Sequence, residues 1–218
     1  MKSLVIAIDG PAGAGKSTVA QLVAQKLNYT YIDTGAMYRA AAWKTLQQHA
    51  PVTDELILET IKYIHVDLSY AEGKTIVTVN GQDVSTEIRT PAVTKIVSQV
   101  ARLAPVREKM VVLQRRMAER GAIVMDGRDI ASHVLPNADV KIFLTASIEE
   151  RAQRRWREMK GKGYDVDLAA LQKDIAARDK ADSERKISPL VKTEDAVLLD
   201  TTGMSIAEVV AAILDMCR

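Results

Sequence analysis

The chain has 218 residues, 47% hydrophobic and 27% charged, which suits one α/β domain with a sizeable core and excludes a disordered chain. Thirty Lys and Arg oppose twenty-eight Asp and Glu, and this net +2 speaks against a dedicated nucleic-acid binder. The single cysteine, Cys217, excludes an internal disulfide; with no leader pattern after Met1-Lys2-Ser3 and no apolar run near ~18 residues, a cytoplasmic protein away from membranes is expected.

In chain order, the first element is an apolar strand, Leu4–Ile8. Then comes Gly10-Pro11-Ala12-Gly13-Ala14-Gly15-Lys16-Ser17, a match to G-x-x-x-x-G-K-[ST], followed by a helix over Thr18–Leu27. Strand, glycine loop and helix form the context in which this pattern holds phosphates. The glycines let backbone N–H groups turn inward, and the helix start adds partial positive charge. Lys16 is suited to the β- and γ-phosphates, and the Ser17 hydroxyl to Mg2+.

A second buried strand, Tyr29–Ile32, ends in Asp33-Thr34-Gly35-Ala36-Met37-Tyr38-Arg39 and leads into a helix over Ala36–His49. Thr34 is the expected cap of that helix, and Thr34 and Arg39 are candidates for an anion near its start. Val66–Thr90 alternates apolar and polar residues around Asn80-Gly81, which predicts a small antiparallel insert. Thr90–Met117 reads as one or two helices with a break near Ala104-Pro105.

The strand Ala122–Met125 ends in Asp126-Gly127-Arg128-Asp129. Open α/β sheets bind ligands at such strand ends. Asp126 suits Mg2+ held through water, Arg128 an acceptor phosphate, and Asp129 acceptor hydroxyls; a plain Asp-Gly turn is the alternative. After the strand Val140–Leu144, Ser147–Ala181 is helical and charged, with a break at Gly161-Lys162-Gly163. Twelve of the thirty basic residues lie in 149–192. Arg151 and Arg155 share one face, and Arg178, Asp182 and Arg185 another. That spacing fits either a solvated salt-bridged surface or a lid whose arginines close over phosphates and exclude water. The strand Val197–Leu199 and the helix Ser205–Met216 complete the chain. Uninterrupted apolar strands alternating with helices predict a parallel sheet covered on both faces.

A phosphate loop alone does not separate a kinase from a nucleotide switch. The guanine-specifying Asn-Lys-x-Asp pattern is absent, which demotes a GTPase. A nucleotide-regulated binding protein and a kinase for UMP, shikimate or dephospho-coenzyme A stay open on these residues. His49, His65 and His133 lack metal-ligand spacing.

From about Val5 to about Glu208 the chain resembles the bacterial cytidylate kinases. The resemblance is carried by Ile8-Asp9-Gly10 through Thr18, by Asp33 through Arg39, and by Asp126-Gly127-Arg128-Asp129-Ile130. Its most specific part is Gly81-Gln82-Asp83-Val84-Ser85-Thr86-Glu87-Ile88-Arg89-Thr90, continued by Val97-Ser98-Gln99-Val100-Ala101 to Val106-Arg107. Arg178-Asp179, Asp182, Arg185, Ser188 and Pro189 match the family's lid and hinge.

The resemblance implies a three-layer P-loop NTPase fold with a five-stranded parallel sheet, an antiparallel β insert and a helical lid. The core would comprise 1–33, 118–147 and 191–218. The monophosphate-binding region would be 34–117, with its insert at about 64–100, and the lid 148–190. The implied reaction is MgATP with CMP or dCMP giving ADP with CDP or dCDP, by a monomer. Carried over, Gly10, Pro11, Ala12, Gly13, Ala14, Gly15, Lys16, Ser17 and Thr18, with Arg151 and Arg155, hold ATP. Thr34, Tyr38, Arg39, Arg128 and Arg185 surround the acceptor phosphate. Ser98 and Arg107 read the base, Asp182 and Asp129 meet the sugar, and Arg178 spans toward the transferred group. Lys16, Asp126, Arg128, Arg178 and Arg185 form the catalytic set, with Ser17 and Asp126 toward Mg2+. Ala131 and Ser132-His133 depart from the family's usual glycine and hydrophobic residue, which leaves that loop's geometry open.

Overall fold

The structure is a computed structural model that describes residues 3–71 and 74–218; Met1-Lys2, read above for a leader pattern, and Glu72-Gly73 of the expected insert lie outside the described residues. In chain order the elements are β1 (Val5–Asp9), α1 (Lys16–Leu27), β2 (Thr30–Asp33), α2 (Thr34–Leu46), α3 (Asp54–Tyr63), β3 (Val66–Ala71), β4 (Lys74–Val79) and β5 (Gln82–Asp83). Then follow α4 (Pro91–Ala101), α5 (Ala104–Ala118), β6 (Ile123–Gly127), β7 (Val140–Thr145), α6 (Ile148–Gly161), α7 (Leu168–Glu184), β8 (Val197–Asp200) and α8 (Ile206–Met216).

The main sheet has five strands in the order β2-β6-β1-β7-β8, all parallel. Its strands are apolar on both faces because both faces are covered. Ile6, Ile8 and Val124 pack against Val19, Val23, Val209 and Ile213 of α1 and α8. Ala7, Ile123 and Met125 point the other way, against Val111 and Ala118 of α5 and against Ile130 and Val134. Successive strand residues thus feed two different layers. The edge strand β8 departs from the expected burial: Val197 and Leu198 are exposed, at 46% and 55%, because no strand lies beyond it.

A second core lies beside the sheet. The antiparallel strands β3, β4 and β5 pack Val66, Val77 and Val79 against Met37 and Ala41 of α2, Ile57 of α3, and Val93 and Val97 of α4. Asn80 and Gly81 join β4 to β5 with φ of 51° and 83°, the left-handed pair that a two-residue hairpin turn needs. Helices α4 and α5 are separate, and Pro105 lies in the first turn of α5, where its missing N–H is harmless.

One local reading is corrected, and one left open is filled in. Thr34 does not cap α2; the Asp33 carboxylate accepts from Ala36 N, while the Thr34 hydroxyl donates to the Asp126 carbonyl at 2.7 Å. Where Ala131 and Ser132-His133 depart from the family, the chain makes a single π-helical turn, Ile130–Val134.

Candidate active site

The C-terminal ends of β1, β2 and β6 open into a cavity of about 1170 Å³. One end is lined by Gly13–Thr18 with Arg154 and Arg155, the other by Tyr38, Ser98, Arg107 and Asp129. Between them stand Lys16, Arg128, Arg178 and Asp182.

The loop end is built from backbone. Gly10, at φ 148°, runs so close to β7 that a Cβ there would meet the Leu144 carbonyl oxygen at 1.9 Å. Gly15, at φ 87°, stands at the N-cap of α1 with no side-chain cap, so the first helical N–H groups remain directed at the cavity. Lys16 is buried and its Nζ donates to the Pro11 carbonyl at 2.8 Å. Burial, with the positive Arg128 next, drives its ammonium well below the usual lysine range. Anionic phosphate is the ligand that such a buried cation requires.

Asp126 lies one residue before the end of β6, beneath the loop. Its carboxylate accepts from the Ser17 hydroxyl at 3.0 Å and the Tyr31 hydroxyl at 2.7 Å. Burial, then the neighbouring Asp33, raises its pKa to about 6, against the pull of Lys16. One hydroxyl and one carboxylate side by side are hard oxygen donors next to the phosphate cradle. They suit Mg2+, which keeps several waters and shares phosphate oxygens. Among the described residues no group of three or more His, Cys, Asp or Glu could hold an ion alone.

The far end is built from side chains of separate elements. Arg107 of α5 is 2% exposed and donates to the Asp129 carboxylate and, at 3.2 Å, to the Ala101 carbonyl. It also lies over the Tyr38 ring, 5.3 Å from its centroid. Burial pushes the Tyr38 hydroxyl up to about 12. Arg185 approaches the other Asp129 oxygen at 3.6 Å and Asp182 at 4.0 Å. Arg128 donates to Asp182 at 3.0 Å, and Arg178 stands 4.0 Å from the same carboxylate. Burial, with Arg178 next, pulls Arg39 down to about 9, while its Nη1 donates to the Thr94 hydroxyl at 2.9 Å. Five arginines around two carboxylates leave a surplus of positive charge, as a phosphate site needs.

The structure brings the expected residues into one cavity, except Gly10 and Pro11 at the start of the loop, and Arg151. The Arg151 guanidinium donates to the Ala146 carbonyl at 2.8 Å, to the Ala12 carbonyl at 2.9 Å and to Asp179 at 2.5 Å. All three acceptors are protein atoms, so Arg151 braces the loop from behind. Arg155 does line the cavity and pairs with Glu158 at 2.8 Å. The Asp129 carboxylate is paired with Arg107 and approached by Arg185.

Several residues escaped sequence reading. Asp179 accepts from Ala12 N at 3.2 Å, tying α7 to the loop. Arg154 lines the cavity and donates to the Thr201 carbonyl at 2.8 Å; its place one turn from Arg151 was the available signal. Arg89 also lines the cavity and pairs with Asp33 at 3.0 Å. Asp9 is buried and accepts two backbone amides, from Ile130 and Ala131.

A cytidylate kinase family model matches residues 6–218. A cytidylate kinase of Bacillus velezensis is 57% identical over 217 residues, covering 99% of this chain and 96% of its own. A cytidylate kinase of Bacillus cereus is 54% identical over 216 residues, with 99% and 96% covered. Among solved structures, an uncharacterised protein from Eubacterium ventriosum shares the fold at TM-score 0.54 and 14% identity, covering 98% of this chain and 97% of that one. The chain belongs to the cytidylate kinase family.

Proposed function

We propose that this chain transfers the terminal phosphoryl group of ATP to CMP and dCMP, giving ADP with CDP or dCDP. ATP lies along the glycine loop, with its terminal phosphate near Lys16, and the acceptor fills the far end of the cavity. The observation that carries the choice of acceptor is the buried pair of Arg107 and Asp129 at the cavity wall, with Ser98 beside the same space.

Cytosine presents an amino donor beside the N3 and O2 acceptors. Arg107 offers donors to the two acceptors, and Asp129 offers an acceptor to the amino group. Uracil turns a carbonyl toward the carboxylate and an N–H toward the arginine, so both contacts become repulsive. A site built on such bonds rejects the wrong base because its own buried groups would be left unpaired. CMP and dCMP share this edge, so one pair of contacts serves both.

Transfer asks for alignment and charge stabilisation more than for covalent chemistry. Tyr38, Arg39, Arg128 and Arg185 grip the acceptor phosphate, with the Thr34 hydroxyl close by. Asp182 orders Arg128, Arg178 and Arg185 and meets the sugar. Arg178 and Lys16 face the transferring group from opposite sides. Helices α6 and α7 act as a lid that keeps water from taking the phosphoryl group. Mg2+, held by Ser17 and by Asp126 through water, would neutralise phosphate charge. The chain acts as a monomer.

The test is ADP release from MgATP with CMP, dCMP, UMP, AMP, shikimate and dephospho-coenzyme A as parallel acceptors. Fast turnover of CMP and dCMP with slow UMP is expected. Preference for any other acceptor rejects the base reading, and no turnover with any rejects the kinase.

A further inference from the structure

Asp9 is a buried carboxylate with no task in the transfer described above. It ends β1 one residue before the glycine loop, lies opposite Gly127 of β6 and is 1% exposed. One of its oxygens accepts from Ile130 N at 2.8 Å and the other from Ala131 N at 2.7 Å. These are the first two amides of the π-helical turn Ile130–Val134, whose N-cap is Asp129.

An aspartate at an N-cap ordinarily caps with its own carboxylate, accepting from an amide two or three residues on. Asp129 makes no such bond. Ala131 N, one of the two amides it would claim, is already taken by Asp9. The Asp129 carboxylate is instead turned to Arg107 and Arg185. A cap supplied from a different strand, 121 residues away in sequence, thus releases the nearer acid for the cavity.

We propose that Asp9 is a positioning residue for base selection: by capping the turn in place of Asp129, it holds the Asp129 carboxylate beside Arg107 at the base edge. The inference rests on the reading of Arg107 and Asp129 given under Proposed function. A carboxylate that only stabilised the fold would affect both nucleotides alike. One that acts through Asp129 affects the acceptor, and above all the choice between cytosine and uracil.

Steady-state kinetics on the full chain separate the two. Wild type, Asp9→Asn, Asp129→Asn and the double variant are measured with CMP and UMP at saturating MgATP, and with MgATP at saturating CMP. Asp9→Asn replaces one acceptor oxygen by an amino donor facing a turn amide, so one of the two bonds is lost. Losing a buried hydrogen bond is worth about tenfold. The CMP KM therefore rises about tenfold and the CMP-over-UMP ratio of kcat/KM falls about tenfold, with the ATP KM within about twofold. In the Asp129→Asn background the same change moves the ratio by less than about twofold, because the effect runs through Asp129. An unchanged ratio, equal shifts in the ATP and CMP KM, or losses that multiply in the double variant overturn the proposal. If Asp9→Asn does not fold, Asp9→Glu is read the same way. It keeps both acceptors but displaces the turn by a methylene, and an unchanged ratio overturns the proposal there too. A wild type without preference for CMP overturns the base reading and this inference together. A wild-type preference that survives at Asp9 overturns this inference alone.

Discussion

On the proposed reading, the two ends of the cavity solve one problem, holding a phosphate, in opposite ways. At the loop end, backbone amides, three left-handed glycines and one buried lysine come from a single stretch, Gly10–Ser17. At the acceptor end, Tyr38 and Arg39 come from α2, Ser98 from α4, Arg107 from α5, Arg128 and Asp129 from the end of β6 and beyond, and Asp182 and Arg185 from the end of α7. The first end is a local property of the chain and serves any nucleoside triphosphate, because it grips phosphate. The second exists only when the whole fold assembles, and it carries selectivity because its buried charges need a matching partner.

The sharpest way to break this comparison is at the loop. Lys16→Ala removes the buried cation proposed to face the transferring phosphate. It is expected to lower kcat by roughly 10³ for every acceptor, with the CMP-over-UMP ratio intact. A change in that ratio would mean that the two ends are not separable. Arg107→Met tests the other end. It leaves the Asp129 carboxylate buried without its main partner, a defect worth about 3–5 kcal/mol. The CMP KM should rise by more than about a hundredfold, preference over UMP should vanish, and the ATP KM should stay put. Thermal melting locates the part of the loss that falls on folding.

Those expectations follow how far each end could be read before the fold was known. The glycine loop is contiguous, and each of its residues has a reason that needs no distant neighbour. The parallel sheet was legible because strands buried on both faces cannot alternate with polar residues, and β8 misled only because it stands at the edge. The acceptor end was legible only through the family resemblance. Nothing local in the chain says that Arg107 reaches Asp129, 22 residues away, or that Arg185 joins them. The cap role of Thr34 was assigned by residue type, and the ATP role of Arg151 was carried over from the resemblance. A threonine before a helix suggests a cap, but Asp33 stands one residue earlier and takes that place. An arginine facing a phosphate loop suggests a ligand, but here Asp179 and two carbonyls claim its donors.

That brace gives a smaller and more local test. Arg151→Ala removes the link from α6 to the Ala12 carbonyl and to Asp179, while Arg151 itself is not part of the cavity lining. The ATP KM should rise about tenfold, or about 1.4 kcal/mol, with the CMP KM unchanged. An equal rise for both nucleotides would show that α6 and α7 support the whole cavity and not the loop alone.

The smallest expected effect lies where the two ends meet, at Asp126. In the proposed reaction its ionised carboxylate would serve the ion and the phosphates, and burial raises its pKa to about 6. As pH falls through that value the carboxylate takes up a proton, so kcat/KM for MgATP should decline on an acid limb near pH 6. Phosphate oxygens titrate nearby, so the limb of one protein alone decides little. The difference between wild type and Tyr31→Phe decides it, because both meet the same nucleotides. The Tyr31 hydroxyl donates to Asp126 at 2.7 Å and favours its charged form. Without that bond the protonated form holds to higher pH, and the limb should move upward. The CMP-over-UMP ratio should stay the same, since Asp129 and Arg107 lie at the other end. A limb that does not move would place the titrating group on the nucleotide. A limb that moves together with the ratio would mean that the β6 end, which carries both Asp126 and Asp129, transmits the change from donor to acceptor.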